Sequence, residues 1–260
     1  MSVLLQSWAI QVRVIKALML RELSTRFGRE NIGFLWVMAE PLLFAVLVGI
    51  LWRSMKGPFE FGVDIIAFVV TGYIPLVLFR SSLSRAMNSF TANGSLMYHR
   101  QIKVLDLLLV RFLIELVGHM MAYLFIAVVL GALGNFPWPY DFGFLLLGWA
   151  YYSLFSFAVC LVVAPLSEAS EVLEKFLPVT AYLMVPFSGA FFVVSSLSPE
   201  AAAIVLYSPP VHGMEMMRYG VFGPSIDPQY DYLYPLQFSL PCMVLGLLLC
   251  RTIRRRLVIE

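Results

Sequence analysis

From residue 34 onward the chain alternates between long apolar stretches and short polar connections. A helix rising about 1.5 Å per residue needs about 20 residues to cross a hydrocarbon core of about 30 Å. Six stretches meet or approach that length: residues 34–52, 64–79, 104–130, 142–164, 176–194 and 234–250. The second is short, and the fifth contains Pro178 and Pro186. Ahead of the first, Leu4, Trp8, Val12, Ile15, Met19, Leu23 and Phe27 recur every three or four residues, with Gln6, Arg13 and Ser24 opposite. That spacing predicts an amphipathic helix lying along the membrane face. Between the fifth and sixth stretches, Pro199, Pro209, Pro210 and Gly213 break the chain, and residues 201–207 are too few to cross. Re-entrant or interfacial helices are predicted there. The expected architecture is all-α and integral to the membrane. It forms a single transmembrane domain over 1–260: an amphipathic helix (1–33), spans one to five (34–194), an outer segment (195–233), span six (234–250) and a basic tail (251–260). The sequence contains no internal repeat and no low-complexity linker.

Composition agrees with the pattern. Charged residues make up 13% of the chain, against roughly 25% in soluble domains. The placement of charge says more than the net +2, which points to no particular partner; no nucleic acid is expected. Lys and Arg beside span ends are retained in the cytoplasm. Arg13, Lys16, Arg21, Arg26 and Arg29, then Arg80, Arg85, Arg100, Lys103 and Arg111, then Lys175, and finally Arg251, Arg254, Arg255 and Arg256 fall on one side, 15 of 18 in all. Only Arg53, Lys56 and Arg218 fall on the other, so both termini are expected in the cytoplasm. The first 33 residues hold five basic residues and lack an uninterrupted apolar core with a cleavage site, which argues against a secretory signal and for a mature start near Met1. Cys160, Cys242 and Cys250 lack ligand spacing, so no metal site or disulfide is expected.

Charges inside apolar segments are costly and draw attention for that reason. Glu22 and Arg26, at i and i+4, project from the apolar arc of the first helix, which predicts that they pair and pack against protein at the mouth of a pathway or at a docking point. Glu40 lies within the first span, before a kinking Pro41. In the third span Arg111, Glu115, His119 and Tyr123 form a stripe with a four-residue repeat, aimed at the bundle interior. Two readings stand: an internal ion-pair network, with Arg111 joined to Glu115 or Glu40, or the wall or gate of a conduit. In the outer segment His212, Glu215 and Arg218 share a helix after Pro210, either as a cap with an i,i+3 ion pair or as a contact for a ligand or partner.

Arg21-Glu22-Leu23, Arg26-Phe27-Gly28, Gly33-Phe34-Leu35-Trp36 and Glu40-Pro41 resemble the opening motif of ABC-2-type permeases, nearest the capsular polysaccharide exporter subfamily. Residues 195–199, Ser208-Pro209, His212, Glu215 and Arg218 resemble that subfamily's segment before its last span; Ser208 is a departure, since Asn is frequent there. The resemblance implies a permease in the bacterial inner membrane that dimerises and works with two copies of a separate ATPase subunit. Such a permease exports a lipid-linked capsular polysaccharide toward periplasmic and outer-membrane components. The sequence lacks the G-x-x-x-x-G-K-[ST] phosphate loop, so this chain is expected to be a transport subunit and not an enzyme, with no cofactor of its own and with ATP and Mg held by the partner. The coupling contact is expected in residues 95–103, where Leu96, Met97 and Tyr98 would enter the ATPase and Arg100 and Lys103 would line the rim. A conduit for a hydroxyl-rich chain needs aromatic faces, small polar donors and a few cations. Phe27, Trp36, Tyr73, Tyr151, Tyr152, Phe155, Phe187, Phe191 and Phe192 are candidates, as wall or as ordinary packing.

Other readings are export of O-antigen, teichoic acid or another glycolipid or drug on the same fold. An intramembrane transferase built on Glu115 and His119 is a further class. An ion-coupled transporter is another, but it should carry inverted repeats, and none is visible.

Overall fold

The computed structural model describes residues 3–27, 32–87, 89–90 and 103–257. Among them stand nine helices: α1 (Val3–Phe27), α2 (Ile32–Lys56), α3 (Ile65–Ala86), α4 (Val104–Ala132), α5 (Phe142–Ala169), α6 (Glu171–Leu183), α7 (Pro199–Leu206), α8 (Pro209–Phe222) and α9 (Tyr234–Leu257). A small antiparallel hairpin, β1 (Phe59–Glu60) and β2 (Val63–Asp64), turns the chain from α2 into α3. Phe61 and Gly62 form its turn at positive φ, as a two-residue hairpin requires.

Two aspartates set the helix starts. Asp64 accepts the N–H groups of Ile66 (2.8 Å) and Ala67 (3.2 Å) at the head of α3. Asp141 does the same for Gly143 (2.7 Å) and Phe144 (3.1 Å) at the head of α5. Each carboxylate satisfies donors that have no partner within the helix.

α3 is the centre of the molecule. Phe68, Val69, Val70, Ile74, Leu76 and Leu78 are buried in one cluster with Tyr123 of α4, Trp149 and Tyr152 of α5 and Met214 and Met217 of α8. α2 and α9 flank this core with apolar outer faces, including Leu43, Leu47 and Leu51 on α2 and Leu240, Val244 and Leu248 on α9. Among the described residues five helices are long and apolar enough to cross a membrane: Met38–Lys56 within α2, α3, α4, α5 and Tyr234–Ile253 within α9.

The expected fifth span is not one helix. α6 has 13 residues, about 20 Å at 1.5 Å per residue, well short of the hydrocarbon core. It ends at Leu183, capped by Met184, and a 3-10 turn follows over Val185–Phe187. Pro186 favours the stop, because its ring and missing N–H do not continue an α-helical ladder. Pro178, by contrast, is carried inside α6. Gly189 then takes φ +74°, and the chain runs irregularly to a second 3-10 turn, Val194–Ser196.

α1 lies against α4. Leu18 is buried with Leu107, Val110 and Ile114, and Val14, Ile15, Met19 and Leu23 pack beside them. Gln11 donates from its side-chain amide to Asp106 at the start of α4. Trp8 and Leu20 remain exposed, at 71% and 69%, so the apolar surface of α1 is divided between protein and open faces.

Candidate functional site

Four aromatic rings form a row on the side where α2, α3 and the irregular segment meet. Phe44 stacks on Tyr73 at 4.7 Å, Tyr73 lies 6.5 Å from Phe191, and Phe191 lies 5.6 Å from Trp52. Lys56 closes the row, with its ammonium 4.3 Å from the centre of the Trp52 ring. Phe44 is 49% exposed and Tyr73 8%, with Trp52 and Phe191 half-buried. At the other end the row opens into a cleft of ≈ 310 Å³ whose lining is mostly apolar, with Val77, Met87, Pro178 and Ala181 among its walls. Glu40 of α2, Tyr73, Arg80, Ser81 and Ser84 of α3, and Tyr182 of α6 line it. The guanidinium of Arg80 lies 4.2 Å above the ring of Tyr182.

On α1, α3 and α4 a chain of charges runs between elements. Arg111 Nε stands 3.1 Å from Glu22 Oε1. Its Nη1 donates to the backbone carbonyl of Arg85 (3.0 Å) and to Ser89 Oγ (2.9 Å). Arg85 Nε lies 3.6 Å from Glu115 Oε1. His119 Nδ1 is 2.8 Å from the Glu115 carbonyl oxygen, which only accepts, so Nδ1 carries the proton. Phe90 N–H donates to Glu168 Oε1 of α5 at 3.1 Å. The network thus grips residues 89 and 90 from two sides, at the stem of the connection toward α4. At the other end of that connection the Lys103 N–H donates to Asp106 Oδ2 at 3.0 Å. Because the Glu22 and Arg111 side chains keep 22% and 16% exposure, their coupling is expected to be about 1 kcal/mol. Thermal unfolding of Glu22→Ala, Arg111→Ala and the double variant measures it; strictly additive losses would rule it out.

The third cluster joins α8 to the irregular segment. Arg218 donates to the carbonyls of Phe192 and Ala190, the latter at 2.7 Å, and its guanidinium lies 4.1 Å from the Phe68 ring centre. Glu215 stands 3.8 Å from Arg218 and accepts the N–H groups of Val194 (3.4 Å) and Gln229 (3.2 Å). Ser208 Oγ donates to the Phe187 carbonyl at 2.6 Å. Both Glu215 and Arg218 are 0% exposed. The broken backbone therefore finds its partners in side chains of a helix more than 20 residues away, and irregular backbone in an apolar surrounding needs such partners. His212 belongs to the same hinge. Its Nε2–H donates to the Leu206 carbonyl (2.9 Å) and its Nδ1 accepts the Asp231 N–H (2.9 Å). Burial pushes the imidazole below its usual value, outweighing the Leu206 carbonyl and Asp231, which pull it up.

The neutral ring is thus the folded form. The stability it contributes is complete above about pH 6.5, the ordinary imidazole value. It declines as pH falls below that, because the unfolded chain takes up the proton first. Unfolding midpoints from pH 8 to pH 5 should fall more steeply for the native chain than for His212→Gln; parallel profiles would contradict this.

Residues 13–222 match the family described as "ABC-2 type transporter". The chain belongs to that family. The capsule polysaccharide export inner-membrane protein BexB of Haemophilus influenzae is 36% identical over 246 residues, 95% of this chain and 93% of that protein. The capsule polysaccharide export inner-membrane protein CtrC of Neisseria meningitidis serogroup B is 37% identical over 93% of this chain and 91% of its own. The polysialic acid transport protein KpsM of Escherichia coli is 27% identical over 94% of each.

Within this ABC-2 chain the expected residues separate into groups. Tyr73, Glu40 and Phe191 meet on the aromatic row and its cleft. Glu22 and Arg111 join each other, where Arg111 was expected to meet Glu115 or Glu40; the expected pair of Glu22 with Arg26 lies outside the described residues. The reason is geometric: α1 lies along α4 and brings Glu22 to Arg111, while Arg85 of α3 reaches Glu115. Tyr152, at 1% exposure, and Phe155, at 3%, are enclosed in the core, and Phe155 packs on Phe79 at 5.7 Å. Tyr151 and Phe192 are half-buried. Phe187 lines an apolar cavity of ≈ 460 Å³ with Phe79, Phe155, Met184 and Phe238. Leu96, Met97, Tyr98 and Arg100 lie outside the described residues, as do the side chains of Arg26, Phe27 and Trp36. Lys103 is exposed just before α4. Phe44, Trp52, Arg80 and Tyr182 were not singled out by sequence; no local signal separates them from interfacial aromatics and loop charges.

Proposed function

We infer that this chain is the membrane subunit of an ATP-driven exporter that carries a lipid-linked capsular polysaccharide across the bacterial inner membrane. The observation that carries this reading is likeness at 36–37% identity, over more than nine-tenths of the chain, to proteins named for capsule polysaccharide export at the inner membrane. The row from Phe44 to Trp52 adds a physical reason, since aromatic rings beside a cleft that carries Arg80 and Glu40 suit a passing sugar chain. The chain works as a homodimer with two copies of a separate ATPase, which binds ATP and Mg, and hands the glycan to periplasmic and outer-membrane components. It crosses the membrane six times, with α6 and the stitched segment to Ser196 forming the fifth crossing. Both termini are cytoplasmic, α1 lies at the cytoplasmic surface, and α7 and α8 form a periplasmic cap. Residues 95–103 dock on the ATPase, and the charges from Glu22 to His119 hold the stem of that contact.

Deleting the gene for this chain should remove glycan from the cell surface and leave it inside, and the intact chain should restore export. Arg100→Glu with Lys103→Glu should reduce retention of the ATPase during purification and reduce export in parallel, by about tenfold or more if both charges line the contact. Unchanged surface glycan after deletion would refute the export reading; unchanged retention and export in the double variant would refute the docking site.

A further inference from the structure

The cleft beside Tyr73 holds two opposite charges that do not meet. Arg80 lies near the C-terminal end of α3 and is half-buried. Among the described residues no carboxylate pairs with it and no acceptor is hydrogen-bonded to it; its flat face rests on Tyr182. Glu40, exposed on the facing helix α2, likewise forms no ion pair among the described residues. Both line the same ≈ 310 Å³ cleft, which falls at the small end of the range for small-molecule sites, about 300–1,000 Å³. Ser81 and Ser84 add hydroxyls beside Arg80, and Tyr73 and Tyr182 add ring faces.

We propose that this cleft is a binding site for an anionic sugar unit, with Arg80 holding the carboxylate or phosphate. A guanidinium fixed on an aromatic ring has already given up much of its rotamer freedom, and its remaining edge carries paired N–H donors matched to two oxygens of an anion. Ser84 stands beside that anion, Ser81 keeps its hydroxyl on the Leu78 carbonyl (3.2 Å), and Glu40 accepts hydroxyl hydrogens from the same or the next sugar and repels a second negative group. The part of the exposed Tyr182 ring that Arg80 leaves uncovered takes C–H groups of the sugar, and Tyr73, stacked on Phe44, walls the cleft. A neutral glycan gains only the stacking and hydroxyl contacts, so the site discriminates by charge. The same chemistry serves a negative group in the glycan repeat or a phosphate where glycan and lipid join. This assignment rests on the export reading, but its test is binding and needs no transport.

The full chain, in discs of zwitterionic phosphatidylcholine, is titrated with tetragalacturonate, maltotetraose and dodecyl phosphate. Tetragalacturonate should bind roughly tenfold tighter than maltotetraose, the worth of one charge-assisted hydrogen-bonded contact. Arg80→Gln should bring the two within about twofold, and Arg80→Lys should keep part of the difference. Glu40→Gln, at an exposed position with little consequence for folding, should tighten tetragalacturonate by about two- to threefold through lost repulsion and leave maltotetraose unchanged. Arg80-dependent binding of tetragalacturonate assigns the anion to the glycan repeat; such binding of dodecyl phosphate alone assigns it to the lipid junction. The site is overturned if neither anion binds in an Arg80-dependent way, or if Glu40→Gln leaves unaffected whichever anion does. Loss of surface glycan on deletion, with no such discrimination, would overturn the cleft and leave the export reading standing.

Discussion

Arg218→Leu is expected to destabilise the protein by about 3–5 kcal/mol, the cost of removing one partner from a buried ionic pair. Three losses coincide. The carbonyls of Ala190 and Phe192 lose their donor, and each unsatisfied buried group costs about 1–3 kcal/mol. Glu215, fully buried, loses the cation 3.8 Å away. The face over Phe68 loses its cation. Leucine fills part of the volume but satisfies none of these groups. Arg218→Lys should recover only a fraction, because one ammonium on a flexible stem does not reproduce a planar fork reaching two carbonyls. Glu215→Gln should cost less, about 1–3 kcal/mol, since its amide oxygen still accepts one of the two N–H groups. Thermal unfolding in detergent should place Arg218→Leu lower by on the order of 10 °C, with reduced yield from the membrane. A midpoint equal to that of the native chain would show that the irregular segment does not depend on Arg218.

This dependence explains why the break at Met184 was not legible in the sequence. Residues 176–194 are apolar enough to be taken for a span, and Pro186 alone permits either a kink or a stop. What decides is a side chain from α8 that reaches the freed carbonyls, and no local pattern announces a contact across 26 and 28 residues. The long helices were legible for the opposite reason: α4 and α5 are long and mainly apolar, and their starts carry Asp106 and Asp141. Their ends were less so. α3 runs on to Ala86, past Arg80 and Arg85, because both arginines find neighbours on other helices, Tyr182 and Glu115. The stripe from Arg111 to His119 was recognisable from its four-residue repeat. Its partners were not, since spacing along one helix says nothing of Glu22 arriving from α1. The aromatic row draws on α2, α3 and the segment after α6, so only its members Tyr73 and Phe191 stood out beforehand.

The second large effect is expected at Gly148, where α5 and α8 come together backbone to backbone. A Cβ at Gly148 would stand 2.5 Å from the Met217 nitrogen and 2.6 Å from the Gly213 oxygen. Those are main-chain atoms of a helix, so neither can rotate away, and Gly148→Ala must push α8 outward. Overpacking of side chains costs about 1–3 kcal/mol; a collision between backbones should lie at or above the top of that range. Gly213 and Gly220 repeat the arrangement from α8, against Tyr152 and Leu145, which is how small residues let helices approach inside membranes. Moving α8 also withdraws Arg218 and Glu215 from the segment they stitch, so Gly148→Ala should lower the unfolding midpoint and depress export together. Gly131→Ala is the matched control: its Cβ would meet only the Phe136 oxygen at 3.8 Å, and the helix propensity of alanine should leave it neutral or stabilised by up to about 1 kcal/mol. If Gly148→Ala melts and exports as Gly131→Ala does, the α5 and α8 backbones are not in contact, and the cap is held by its side chains alone.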